Sequence, residues 1–231
     1  MDLNTISERI NELLKIPSNQ QFDITDTIYS NNVPVNYGIV KGNNTIVVYK
    51  SGLNGSFIGW EQKYLKIARL LNSEFGCSVI SVSNPAEAER SINIEMEIVK
   101  EYVKKSNFYD YKIYYMGYSN SAVMGFYEAQ NYKNIDKLLL INLPLNPSVE
   151  EMSSFYADFK GKSVDFVYGE KDNCYRVGKL YSSFENERIH FNFLKDVDHD
   201  FTDNVNLFIS LPYYFFFNRK ELENLSISEK K

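Results

Sequence analysis

The sequence predicts an α/β protein with a mainly parallel central sheet, an N-terminal antiparallel hairpin and helices on both faces. Three observations predict it. From Thr45 to Phe217, short runs of β-formers alternate with amphipathic stretches, the signature of βα units around a parallel sheet. The run Thr45–Lys50 is almost continuously apolar, as a strand covered by helices on both faces should be. Ahead of it, Phe22–Tyr29 and Val33–Val40 flank Ser30-Asn31-Asn32, a turn-forming interruption between two strand-like segments.

The elements follow in order. Ile6, Ile10, Leu13 and Leu14 share one helical face, with Asp2 or Asn4 as cap and Pro17 after the end. The hairpin comes next, and Pro34 suggests that its second strand begins at an edge. After the Thr45–Lys50 strand, Ser51-Gly52-Leu53-Asn54-Gly55 forms a glycine-bearing loop. Trp60–Phe75 has a helical face of Tyr64, Leu65, Ala68, Leu71 and Phe75, with Gly76 as its stop. Ser78–Val82 is a strand closed by Asn84-Pro85, and a helix is expected from about Ala86 to Lys104 with Ile92, Met96, Val99 and Val103 on one side. Further strands are expected at Ile113–Met116, Lys137–Leu143, Val164–Tyr168 and Arg188–Leu194. Helices are expected at Val149–Phe159, Val177–Phe184 and from about Phe201 towards Phe217. The tail Ser226–Lys231 is polar.

With 231 residues, 44% hydrophobic and 24% charged, the chain suits one domain spanning 1–231, with 1–44 as helix and hairpin. Aromatics make up 15%, including 18 tyrosines, so many phenols must reach the surface or line a cavity. The net charge of −5 and the lack of a dense basic cluster argue against nucleic acid as a partner. The N-terminus does not read as a secretory signal. The longest apolar run, Leu211–Phe217, contains Pro212 and is too short to span a bilayer. Cys77 and Cys174 are expected to be free thiols, and the cytoplasm is the expected location.

The chemistry centres on Lys112–Gly125. Ile113–Met116 leads into Gly117-Tyr118-Ser119-Asn120-Ser121, and Ala122, Val123, Phe126 and Tyr127 recur at helical spacing. This is strand, sharp turn and helix with a serine at the apex. A plainer reading is a buried serine capping a helix. The stretch resembles the nucleophile elbow of the α/β-hydrolase family, Gly-x-Ser-x-Gly, with Ser121 in place of the second glycine.

That resemblance implies a serine hydrolase with Ser, Asp and His in that chain order, and no cofactor. Of the two histidines, His190 falls inside a strand and His199 in the loop after it. Loops after strands gather at the carboxyl edge of a parallel sheet, where ligands bind, so His199 is the candidate base. Gly169-Glu170-Lys171-Asp172 looks like the family's acid-bearing turn and makes Asp172 the candidate orienting acid; an ordinary turn aspartate is the simpler alternative. Ser51-Gly52-Leu53-Asn54-Gly55 resembles the family's His-Gly-x-x-Gly with Ser51 in the histidine's place. Leu53 and Asn120 are then the expected backbone donors of an oxyanion hole.

The segment 144–162 has room for one helix, a minimal lid, on which Met152, Phe155 and Tyr156 are expected to overhang the site and line an acyl pocket. Phosphate loops and Cys/His clusters for zinc are lacking in the sequence. Glu87/Glu89 and Glu95/Glu97 are expected on the solvated face of a helix. The expected activity is hydrolysis of a small or medium acyl ester, thioester or amide, the partner being a small-molecule acyl substrate. An inactive hydrolase-fold binding module, or an acyltransferase using the same residues, remains open.

Overall fold

The computed structural model describes residues 21–219. The helix expected over Ile6–Leu14 and the tail Ser226–Lys231 lie outside them. The strands are β1 (Ile24–Ser30), β2 (Val33–Val40), β3 (Asn43–Lys50), β4 (Cys77–Val82), β5 (Lys112–Tyr118), β6 (Ile135–Ile141), β7 (Ser163–Gly169) and β8 (Ile189–Leu194). They form one sheet in the order β1-β2-β4-β3-β5-β6-β7-β8. The β1–β2 and β2–β4 pairings are antiparallel and all others parallel. The β1–β2 turn is made by Asn31 and Asn32 at φ 51° and 67°, the left-handed pair that a two-residue hairpin requires. Pro34 lies where β2 pairs with β1 but has not yet reached β4, so its missing N–H costs little.

The helices are α1 (Lys63–Phe75), α2 (Asn93–Ser106), α3 (Asn120–Glu128), α4 (Val149–Asp158), α5 (Tyr175–Tyr181) and α6 (Val205–Pro212). Alternation along the strands feeds two cores. Val47, Tyr49, Leu139, Ile141 and Val167 join Leu70 and Leu71 of α1 and Phe208 and Ile209 of α6 on one face. Ile46, Val48, Leu138, Leu140 and Phe166 join Val99 of α2, Phe126 of α3, Phe155 of α4 and Tyr181 of α5 on the other. After β3 the chain goes to β4 on one side and, after α2, to β5 on the other. The loops that leave β3 and β5 therefore diverge, opening a crevice at the carboxyl edge of the sheet.

Three expectations are corrected. The helix expected from Ala86 starts only at Asn93, so Glu87 and Glu89 sit on a loop. That loop is held by tertiary contacts instead: Glu128 Oε2 accepts from Ser91 Oγ and from Ile92 N. Glu95 is not solvated but fully buried, its Oε1 2.5 Å from Lys50 Nζ. The contact is ionic rather than a well-aligned hydrogen bond; the ammonium also donates to Ser91 O. Burial raises the Glu95 carboxyl, and Lys50 opposes that rise. Lastly, α6 starts at Val205, after a loop in which Phe201 has φ 57°, and beyond Pro212 the chain widens into a π turn, Tyr213–Phe217. Pro212 has no N–H for the helical ladder, a common cause of such a break. No helix among the described residues is long and apolar enough to cross a membrane.

The buried Lys50–Glu95 pair makes a direct test. Lys50→Met alone should strand the Glu95 charge and cost about 3–5 kcal/mol, whereas Lys50→Met with Glu95→Leu should be close to neutral. Urea unfolding of the two variants measures the difference; equal losses in both would show that the pair is not a coupled unit.

Candidate active site

Ser119 follows the last residue of β5 and precedes the first of α3. Its backbone has φ 56° and ψ −120°, a region that costs of order 1–3 kcal/mol for a side-chain-bearing residue. The surroundings hold it there. Ser119 N donates to Ile141 O at 2.9 Å, and Ala122 N to Ser119 O at 2.9 Å. Ser121 Oγ accepts from Tyr118 N at 2.8 Å and donates to Lys50 O at 2.7 Å, with Tyr118 O 2.9 Å away. The serine at the family's second glycine position is thus a staple across the turn. Gly117 is the glycine the turn cannot lose, since a Cβ there would stand 2.6 Å from Ser121 O and 2.8 Å from Ala122 Cα.

The loop after β8 carries His199 to this turn. His199 Nε2 is 3.0 Å from Ser119 Oγ, and His199 Nδ1 is 2.5 Å from Asp172 Oδ2. The acid, from the turn after β7, is buried, and its Oδ1 accepts from Cys174 N at 2.6 Å. Burial alone would raise the Asp172 carboxyl, but the bonds from His199 and Cys174 outweigh it and hold the group below its ordinary value. The bond to Asp172 raises His199, against burial, with Asp198 and Asp200 adding to the rise. Burial and the nearby carboxylate push the Cys174 thiol up to about 12, so it stays protonated. His190, on β8, registers with Asp165 and stands near Glu185, away from this group. Both cysteines are free, and among the described residues no His, Cys, Asp and Glu side chains converge as metal ligands would.

The loop 51–55 leans on the same turn, since a Cβ on Gly52 would lie 3.1 Å from the Tyr118 ring. Ser51 Oγ donates to Gly55 O at 2.8 Å, closing the loop where the family has histidine. Neither Leu53 N nor Asn120 N has an acceptor among the described residues. Asn84, buried just beyond β4, stitches the two segments together: its Nδ2 donates to Ser51 O at 3.1 Å and to Asn120 Oδ1 at 3.2 Å. Its backbone pairs with Asn54 N and Gly55 O. Next to the loop that follows His199, a cleft of about 340 Å³ is lined by Trp60, Lys63, Tyr118, Asp200, Thr202 and Val205. The larger cleft, about 620 Å³, lies at the opposite, amino edge of the sheet near Tyr111 and Ile113 and takes no part in this arrangement.

No family profile matches the sequence, and no curated protein matches it. Solved structures do. Est1E from Butyrivibrio proteoclasticus superposes at TM-score 0.59 with 13% identity, over 87% of this chain and 99% of that one. XC6422 from Xanthomonas campestris, described as an α/β serine hydrolase without lid, gives 0.61 with 14% identity, over 86% and 95%. An esterase from Pyrobaculum calidifontis gives 0.56 with 18% identity, over 99% and 92%. The chain has the α/β-hydrolase fold. Within that fold, Ser119, Asp172 and His199 are brought into one hydrogen-bonded chain, and Asn120 and the Leu53 loop flank it.

The acyl pocket expected on α4 is not there. Met152 and Phe155 are 1% and 2% exposed, packed in the core that also holds Phe126, Phe159 and Phe166. Side chains so covered present no surface to a substrate, so Met152 and Phe155 do not line an acyl pocket. Tyr156 is half-buried with its ring 5.5 Å from that of Phe184. Sequence reasoning missed Asn84 and Asn142. Asn84 lies two residues past β4 and Asn142 directly after β6, each a polar residue where burial is expected, and that was the available signal.

Ser121→Gly completes the Gly-x-Ser-x-Gly pattern and should weaken this protein, because Tyr118 N–H and Lys50 C=O lose a buried partner. The expected loss is about 1–3 kcal/mol by chemical denaturation. A variant as stable as the parent would show that the staple contributes nothing.

Proposed function

We propose that this protein is a serine hydrolase of small or medium acyl esters, thioesters or amides. The observation that carries this reading is the continuous path from Asp172 through His199 to Ser119 Oγ, with contacts of 2.5 and 3.0 Å. Ser119 attacks the carbonyl while His199 Nε2 takes its proton, and the same nitrogen returns that proton to the leaving group. Asp172 holds the Nδ1–H tautomer and stabilises the imidazolium. Asn120 N and Leu53 N hold the oxyanion, and water then releases the acyl group. Asn84 sets the spacing of those two donors. The 340 Å³ cleft is lined by Asp200, the residue after His199, and Trp60 and Tyr118 give it flat walls. The fold shared with esterases such as that of Pyrobaculum calidifontis supports the assignment. Ser51 and Ser121 depart from the family pattern, but each closes a turn with its hydroxyl, so neither departure argues for an inactive binding module.

A fluorophosphonate tests the reading, because it reports a serine with a working base. Labelling should map to Ser119, vanish in Ser119→Ala and fall sharply in His199→Ala. Neutral His199 is the active form, and its bond to Asp172 raises its titration point. Labelling should therefore increase with pH, with a midpoint above the ordinary histidine value of about 6.5. A folded protein that takes up no probe at pH 8 would sink the proposal.

Asp172→Asn should lower turnover of a p-nitrophenyl ester by about 10⁴, with Asp165→Asn, Asp196→Asn and Asp198→Asn far milder; a crippled Asp198→Asn beside a near-silent Asp172→Asn would reassign the acid. Asn84→Ala should lower kcat by about 10²-fold, the range seen for a lost oxyanion donor, with little change in KM. A rise in KM at unchanged kcat would place Asn84 outside that role.

A further inference from the structure

Asn142 is fully buried immediately after β6, with a left-handed backbone at φ 47°. Its side chain is used at both ends. Nδ2 donates to His199 O at 2.9 Å, and Oδ1 accepts from Gly169 N at 3.0 Å. Gly169 opens the turn that carries the acid, and Gly169 O in turn accepts from Asp172 N at 3.1 Å. One amide therefore touches the backbone of the residue that bears the imidazole and the turn that bears the carboxylate.

The base loop needs such an anchor. His199 lies between the end of β8 at Leu194 and the start of α6 at Val205, with no helix or strand to set its position. The two loops run side by side: Lys171 N donates to Val197 O at 2.9 Å, and a Cβ on Gly169 would come within 2.4 Å of that same oxygen. The His199 carbonyl is also met by Tyr118 OH at 2.9 Å. Two donors from two neighbouring strand ends thus grip one carbonyl, which limits rotation of the peptide that aims the ring.

We propose that Asn142 is a positioning residue that fixes His199 against Asp172, so that the short Nδ1 contact exists before substrate arrives. A geometry held to within a fraction of an ångström by buried hydrogen bonds is what a preorganised site requires. The inference rests on the hydrolase reading for its catalytic meaning, but the geometric claim can be measured without turnover.

The chain has two histidines, so the imidazole signals of His199 and His190 are separable by proton NMR, with His199→Ala giving the assignment. Asp172, Asp198 and Asp200 are the charged groups that act on His199. Tyr118 faces its ring at 5.6 Å, Cys174 bonds the far oxygen of Asp172, and Lys63 lies across the Tyr118 ring at 5.4 Å. None of these is altered by Asn142→Gly, which tolerates the positive φ and removes the side chain, or by Asn142→Ser, which is too short to span both partners. In the wild type the His199 midpoint should lie above that of an unpartnered histidine. In both variants it should fall towards about 6.5, with loss of the low-field Nδ1 proton resonance, while His190 does not move. Fluorophosphonate labelling should slow in parallel.

If either variant folds with an unchanged His199 midpoint and resonance, Asn142 is only a structural residue and the proposal is overturned. Asn142→Ser serves if Asn142→Gly is too unstable. Should the wild type fail to label while the His199 midpoint still falls in the variants, the hydrolase reading fails and the positioning role stands.

Discussion

The backbone at Ser119 is the constraint on which the rest depends. A non-glycine residue at φ 56° and ψ −120° persists only where its neighbours leave it no alternative. Here they are the ladder bond to Ile141, the missing Cβ of Gly117 and the hydroxyl of Ser121 reaching back to Lys50. Each belongs to a different segment, so the turn is fixed by the assembled sheet and not by local preference. The strain lifts the serine clear of its own strand, and the neighbouring strand ends then supply what surrounds it.

The same division of labour runs along the carboxyl edge. β3 ends in the loop bearing Leu53, β4 in Asn84, β5 in Ser119, β6 in Asn142, β7 in the Asp172 turn and β8 in the His199 loop. The side chains of Ser119, Asp172 and His199 form one hydrogen-bonded chain. The two asparagines touch none of them directly by side chain, yet each joins two of the loops that carry the site. Asparagine suits this place because one amide both donates and accepts without bringing a charge into a buried position.

Much of this was legible in the sequence. The βα alternation gave the sheet, and the Gly117–Ser121 string, the Gly-x-x-Asp turn and the loop histidine marked the residues that meet. What was not legible depends on the other side of a contact. The start of α2 was misread because Ser91 and Ile92 are held by Glu128, thirty-odd residues away. Glu95 looked solvated because its partner, Lys50, sits on a strand outside its helix. Met152 and Phe155 looked like pocket residues because apolar side chains on a connecting helix are equally suited to a core, and periodicity cannot tell which side of the helix meets Phe126. Ser121 read only as a substitute for the pattern's second glycine, where the structure shows a hydroxyl with a donor and an acceptor in reach.

The chain order of the three hydrogen-bonded residues has a consequence for synthesis. Ser119 emerges first, and His199, its partner at 3.0 Å, follows 80 positions later. When the elbow emerges, neither Ile141, which anchors the turn, nor the base has been made, and the deep core against α6 is still missing. The last parallel strand must dock on β7 before the imidazole can be delivered, and such long-range parallel pairings form slowly. An arrested or clipped chain would therefore hold an inert serine, and reactivity at Ser119 would serve as a readout that the final third of the polypeptide has reached its native place.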